Sequence, residues 1–352
     1  MPPSIKDDAI EMSKATLKNV AHEAGVSLAT ASLVLNRKGQ LSQDVRDRVY
    51  NAAKKLDYIK PMYTPGVRRY IGHVAILVFE DAEKAFIWNF FRRIIVQLEA
   101  VITREGYYPV IIPVTVNCET QDIFEKVVVS KAKAMFSIDY GNQELFRKVE
   151  DQEIPVIVIN NAGFQTQYFS VCVDDFHGAY EGTKYLLSLG HTQIAYSEYH
   201  RPDMPALLND RFIGFKKALD EEHIRFPEEY RITVNLFDME ELQRKIQKIF
   251  QRKTPPTAIF VHDDYLAGRI IVALQNIHLR VPEDISIIAP GDTLDYSQPF
   301  TPRITTMCIN NELLGKLAGE MLLERLQNPQ TAVHVLKVNQ QLIERGSCKT
   351  GL

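Results

Sequence analysis

At 352 residues the chain is longer than one ordinary hydrophobic core supports, which points to two or three domains. Its net charge of −3 conceals an asymmetry: between Lys14 and Arg69 eleven lysines and arginines face four acids, the footprint of a phosphate-binding module on a neutral-to-acidic body. Four scattered cysteines (Cys118, Cys172, Cys308, Cys348) form no metal or redox spacing, no apolar run approaches about 18 residues, and no charged-then-apolar leader opens the chain, so the expectation is a cytoplasmic protein with reduced thiols and no membrane span.

In chain order, residues 1–13 are polar, acidic and without apolar periodicity, and read as a disordered tail. The stretch from Thr16 to Asn36 organises the rest of the chain. Leu17, Val20, Ala21 and Ala24 share one helical face; Gly25 then suits a tight turn needing positive φ, with Val26 to plug the corner. Ser27 can cap a second, short helix rich in small residues, from Leu28 to Leu35. Ala-x3-Gly-x-Ser before such a helix is the spacing of a helix-turn-helix, whose second helix lies in the DNA major groove; a plain helical hairpin is the other reading. Ser42 can cap a third helix with Val45, Val49, Ala53 and Leu56 as its buried face. Pro61, Pro65 and Gly66 then interrupt any regular element, which makes Asp57 to Tyr70 a linker.

From Ile71 short apolar runs alternate with longer amphipathic ones. Strands are expected at 74–79, 109–113, 134–138, 156–160, 193–196, 232–234, 258–261 and 286–289, with helices such as 90–104, 178–189, 211–221, 240–251 and 265–275 between them. Near-continuous apolar strands alternating with helices predict parallel sheets covered on both faces. No dinucleotide-binding glycine fingerprint, nucleophile elbow or phosphate-binding loop occurs, and the nine histidines have no metal-ligand spacing. We therefore expect no catalytic residue, metal or cofactor. His191, after Leu189 and Gly190, is expected to close a helix end.

The chain resembles the LacI/GalR family of transcriptional regulators. The residues that carry the likeness are Ala15-Thr-Leu-Lys-Asn-Val-Ala21, Ala24-Gly-Val-Ser27, Val34-Leu-Asn36, Leu41-Ser42 and Leu56-Asp-Tyr58. It continues in Gly190-His191, Arg211-x-x-Gly214-Phe215, Val281-Pro-Glu-Asp-Ile-Ser286, Ile304-Thr-Thr306 and Leu342-Ile-Glu-Arg345. The resemblance implies an N-terminal all-α helix-turn-helix bundle followed by an α/β core like periplasmic binding proteins, made of two doubly wound parallel-sheet subdomains. The expected division is a helix-turn-helix domain at 14–58, a hinge at 59–70 and an effector-binding and dimerisation core at 71–352. Within the core, subdomain 1 would take 71–162 and 299–328, and subdomain 2 would take 163–298 and 329–352. The chain would cross between sheets near 161–166, 296–302 and 327–331, with ligand in the cleft at strand carboxyl ends.

Carried over residue by residue, the resemblance places DNA contacts on Thr16, Leu17, Lys18, Ser27, Leu28, Ala29, Thr30, Ser32, Leu33, Asn36 and Arg37. Base edges would be read by Leu28, Ala29 and Leu33, of which the first two can touch thymine methyls; Ser27, Thr30, Ser32 and Asn36 would hold phosphates, with Lys18, Arg37 and Lys38 as basic supports. The family's hinge helix is missing its usual motif here. Val67 remains as a small substitute wedge and Arg68 and Arg69 as phosphate contacts, against a plain basic tether. The effector site implied is Phe90, Asn160, Arg211, Phe237, Asp263 and Asp292, with Arg211 forking to the ligand and Asp264 capping a helix behind Asp263. Phe237 reads equally as a core residue, aromatics such as Phe90 are more often core than cleft wall, and Arg211 reads alternatively as a structural partner of Asp210 or Asp264. Asn160, Asp263 and Gly291 depart together from the common hexose pattern. The function expected is a cytoplasmic, homodimeric regulator, by family habit a repressor, of a double-stranded DNA operator under a small polar effector, sugar or sugar derivative favoured. The alternatives are a regulator that has lost ligand control and a plain sugar-binding protein.

Overall fold

Small apolar side chains at helical spacing decide the amino-terminal unit. Helices α1 (Leu17–Glu23), α2 (Leu28–Leu35) and α3 (Gln43–Lys55) close around Val20, Ala21, Ala24, Ala31, Val34, Val49, Ala52 and Ala53. Alanines let the three axes approach closely, and Val26, Val45 and Leu56 seal the edges. Gly25 has φ +63°, as the turn requires, and the Val26 N–H donates to the Ala21 carbonyl at 3.0 Å. Ser42 holds the N-cap position of α3 without a side-chain cap bond, so its expected role is reduced to extended backbone.

This computed structural model describes residues 16–35, 41–56, 58, 70–79, 88–115, 117–200, 210–235, 238–291 and 293–351. The chain divides into two units, Met1–Gly66 and Val67–Leu352. The expected tail at 1–13 lies outside the described residues, as do Asn36, Arg37, Lys38, Val67, Arg68, Arg69, Phe237 and Asp292.

In the second unit every expected strand is present within a few residues. β1 (Gly72–Phe79) shows why: Val74, Ile76 and Val78 enter one core and Ala75 and Leu77 the opposite one, so both faces are buried and the sequence is apolar throughout. The first sheet adds β2 (Tyr107–Val114), β3 (Ala132–Ile138), β4 (Val156–Ile159), β5 (Phe169–Val173) and β11 (Val335–Val338), in the order β11-β5-β4-β3-β1-β2 and all parallel. The second has β6 (Ile194–Tyr199), β7 (Arg231–Val234), β8 (Ala258–Val261), β9 (Ser286–Gly291), β10 (Thr305–Cys308) and β12 (Gln341–Ile343), in the order β12-β10-β9-β8-β6-β7, with only β12 antiparallel. Helices α4 (Trp88–Arg104) and α11 (Asn311–Gln327) cover one face of the first sheet, α5 (Thr120–Val129) and α6 (Gln143–Glu150) the other. Helices α7 (Asp175–Ser188), α8 (Asp210–Glu221), α9 (Met239–Phe250) and α10 (Asp264–Gln275) pack on the second. No helix among the described residues is long and apolar enough to cross a membrane.

The crossings between sheets differ from expectation. Residues 161–168 return the chain to the first sheet, because β5 pairs with β4 and not with the second sheet. Likewise β10 stays in the second sheet and β11 in the first. The chain therefore crosses at Asp174, at 309–310 and at 339–340, each one strand later than 161–166, 296–302 and 327–331. The strands that were missed explain the shift: β5 and β10 carry Ser170, Thr305 and Thr306, all buried, which break the apolar runs.

Candidate functional site

On the first unit, Thr16 caps α1 and is closed with Asn19 in a reciprocal capping box, and Leu17 packs half-buried on the bundle core. Ser27 accepts from the Thr30 N–H at 3.0 Å and its hydroxyl meets that of Thr30 at 2.8 Å, so both hydroxyls start α2. Ala31 and Val34 are fully buried on the inner face of α2. On the outer face Leu28 is 53% exposed and Leu33 40%, with Ala29 also exposed. Leu28 and Leu33 thus point away from the bundle, while Leu35 of the same helix packs on its core. Lys18 is exposed nearby in sequence, on α1. Arg48, which the sequence pattern does not single out, donates to the Ala24 carbonyl and finishes α1, and Lys55 pairs with Glu23 at 2.5 Å.

In the second unit the strand orders β2-β1-β3-β4-β5 and β7-β6-β8-β9-β10 reverse between β1 and β3 and between β6 and β8. Open α/β sheets bind ligands at the strand carboxyl ends of such switch points. At the first switch point the rings of Phe79 and Tyr140 stack, centroids 6.2 Å apart. At the second, the Tyr199 hydroxyl donates to Asp263 at 3.0 Å and the Tyr199 ring meets His262 edge-on. Arg211 donates through Nε to Asp175 at 2.9 Å and through Nη1 to the His262 carbonyl. The structure thus brings Arg211 and Asp263 to one place, and adds Asp175, Tyr199 and His262, which sequence reasoning missed.

These contacts correct several expectations. Arg211 pairs with Asp175, not with Asp210 or Asp264. Asp263, not Asp264, caps α10, accepting from the Leu266 N–H at 2.7 Å. Asp264 is fully buried and anchors the following loop, accepting from the Thr293 N–H and hydroxyl at 2.7 and 2.6 Å and the Leu294 N–H at 3.0 Å. Phe90 lies in the core under the first sheet, edge-on to Phe91, and so takes its core reading. Asn160 sits past the end of β4 with φ +57°, a left-handed turn that asparagine tolerates. His191 does not use its ring on a helix end: the ring bonds Thr257, Ser286 and the Lys349 carbonyl, each at 2.9 Å, clipping the carboxyl-terminal segment to the second sheet. Burial holds its imidazole below the usual range.

Burial pushes the Asp263 carboxyl up to about 6, with Asp264 adding to the rise and the Leu266 N–H, Arg211 and Tyr199 opposing it. An unfolded aspartate titrates near about 3.9, so between that pH and 6 the native state holds the extra proton and stability falls as pH rises. We expect Asp263→Asn, which keeps the cap acceptor, to abolish this slope and to stabilise the protein at pH 7 by about 1–2 kcal/mol, discounted for partial exposure. Urea titrations between pH 4 and 7 check it; a variant with the wild-type slope would contradict the assignment.

Comparison with known proteins agrees with this architecture. Residues 16–60 match the model for bacterial regulatory proteins of the lacI family, and residues 183–348 that for a periplasmic binding protein-like domain. The HTH-type transcriptional repressor PurR of Photorhabdus laumondii is 29% identical over 342 residues, covering 96% of this chain and 98% of that one. PurR of Vibrio vulnificus is 28% identical over 348 residues, covering 95% and 99%. Among solved structures, a transcriptional regulator CelR–cellobiose complex superposes with TM-score 0.68 at 22% identity over 95% of this chain and 99% of that one. The lac repressor dimer bound to operator and the anti-inducer ONPF gives 0.68 at 20% over 96% and 100%. With a helix-turn-helix unit ahead of a two-sheet core and repressors aligned with it along nearly its whole length, the chain is similar to DNA-binding transcriptional regulators of the LacI family.

Proposed function

We propose that the protein is a cytoplasmic, homodimeric repressor that reads an A·T-tolerant palindrome and answers to a small, uncharged polar effector, a sugar or sugar derivative. The observation that carries the DNA half is the outward face of α2, where Leu28, Ala29 and Leu33 are exposed while Ala31 and Val34 hold the core. Methyl-bearing side chains at the start of a recognition helix suit thymine methyls and offer no bidentate hydrogen bonds. Lys18 and the expected contacts Asn36 and Arg37 would supply phosphate affinity, with Val67, Arg68 and Arg69 as hinge contacts. A dimer follows from the symmetry of a palindromic operator.

The effector half is supported by the convergence of Arg211, Asp263 and Tyr199 at the second switch point, with Asn160 and the stacked Phe79 and Tyr140 at strand ends of the first sheet. Phe237 and Asp292 complete the proposed set. Asp175, Asp263 and Asp264 outnumber Arg211, so sugar phosphates and acidic ligands are disfavoured. A specific observation favours a second reading, a regulator free of ligand control: Arg211 and Asp263 already have partners within the chain.

The test is a thermal-shift panel of D-glucose, D-ribose, N-acetyl-D-glucosamine, sorbitol, glucose 6-phosphate and adenosine, followed by operator binding with any hit. A compound bound to the native state raises the melting temperature by mass action. A neutral sugar that does so and alters operator affinity supports the first reading. Operator binding with no hit supports the second, and a hit confined to glucose 6-phosphate would overturn the charge argument.

A further inference from the structure

The three segments that join the two sheets must absorb any change in the angle between the subdomains. Two of them are bonded to each other. The Asp174 N–H donates to the Val338 carbonyl at 2.9 Å, and Gln340, in the crossing at 339–340, donates its side-chain amide to the Asp174 carbonyl and to Asp175 Oδ1, both at 3.3 Å. Gln340 is 8% exposed. Its amide lies where a Cβ on Gly178 would come within 2.3 Å, so the first turn of α7 is built to admit it. Its Oε1 has no hydrogen-bond partner among the described residues.

The same Asp175 Oδ1 that takes the Gln340 amide takes Arg211 Nε at 2.9 Å. Arg211 continues to the His262 carbonyl, and the next residue, Asp263, is held by Tyr199. A contiguous hydrogen-bonded series therefore runs from a hinge segment to the second switch point. We infer that Gln340 is a positioning residue that couples the setting of the hinge to the orientation of Arg211 through their shared acceptor, Asp175. This rests on the reading of Arg211 as an effector contact. Turning the crossing at 339–340 moves one donor on Asp175 and re-aims the other; a ligand that draws Arg211 off Asp175 releases the hinge in return, as reciprocal coupling requires.

The test is a mutant cycle on the full-length protein, with urea unfolding of the core as the readout: Gln340→Leu, Arg211→Met and the double variant, repeated with Asp175→Ala. We expect the double variant's unfolding constant to depart about fivefold or more from the product of the single effects, and to return to within about twofold once Asp175→Ala removes the shared acceptor. Arg211→Lys replaces Arg211→Met if the latter does not fold. Independent effects with Asp175 present, or a departure that survives Asp175→Ala, would overturn the coupling. For a panel sugar that binds, Gln340→Leu should keep the melting-temperature rise while operator affinity stops responding; an unchanged response would also overturn it. A preserved cycle with no binding compound in the panel supports the coupling and counts against the effector reading alone. A sugar that depends on Arg211 with no coupling in the cycle counts against Gln340 alone.

Discussion

Leu28→Ser weakens binding to the protein's own operator by about tenfold or more, on the order of 1–2 kcal/mol, while the melting temperature stays within a degree or two of wild type. The two halves of this expectation come from one fact. Leu28 is more than half exposed, so removing its methyls opens no cavity in the bundle. If those methyls meet thymine, the loss appears only in the complex. Ala29→Ser is expected to relax the choice of base at a neighbouring position with a smaller loss. Lys18→Ala, by contrast, should weaken binding to all sequences alike and lower the salt slope by about one. Electrophoretic titration at two salt concentrations separates the cases. A Leu28→Ser protein that melts many degrees lower would mean that the side chain packs within the molecule and does not face DNA.

Arg211→Ala carries the largest stability change expected in the core. Its side chain is 14% exposed and that of its partner Asp175 30%, so the pair is shielded but not dry. Removing the cation takes one donor from Asp175, which keeps the Gln340 amide, and one from the His262 carbonyl, for an expected loss of about 2–4 kcal/mol, within the range for breaking a buried pair and reduced for the remaining solvent. For a unit of this size that corresponds to a fall of roughly 3–7 °C in melting temperature. The thermal shift from any sugar bound at this point should vanish with it. Arg211→Lys keeps the charge but not the fork, so it should recover part of the stability and little of the ligand response. A melting temperature unchanged in Arg211→Ala would contradict the pairing.

How far the sequence carries the fold depends on how local each decision is. The amino-terminal bundle was legible because its signals sit within a few residues: Ser27 as a cap, Gly25 at the turn, Val20 and Val49 at helical spacing. The apolar strand β1 declared itself in the same way. β5 and β10 did not, since Ser170, Thr305 and Thr306 interrupt their apolar runs, and with them went the positions of the crossings. Strand order is set by pairings across long stretches of chain, so the switch point was invisible until β6 and β8 stood side by side. The proposed effector site shows the same limit. Arg211 and Asp263 were found by motif, but Asp175 is 36 residues from Arg211 and Tyr199 is 64 from Asp263, and no spacing announces either. The exchange of roles between Asp263 and Asp264 has a simpler cause: two adjacent aspartates at a helix start are equivalent until the backbone fixes which one is extended.

Selection of duplexes from a random-sequence pool by the full-length protein tests the central claim most directly. The account predicts enrichment of a palindrome whose half-sites hold A·T pairs where Leu28 and Ala29 enter the major groove, and loss of that preference when both are replaced by serine. A folded protein that enriches no sequence, or a Leu28→Ser, Ala29→Ser protein that selects the same palindrome, would contradict it.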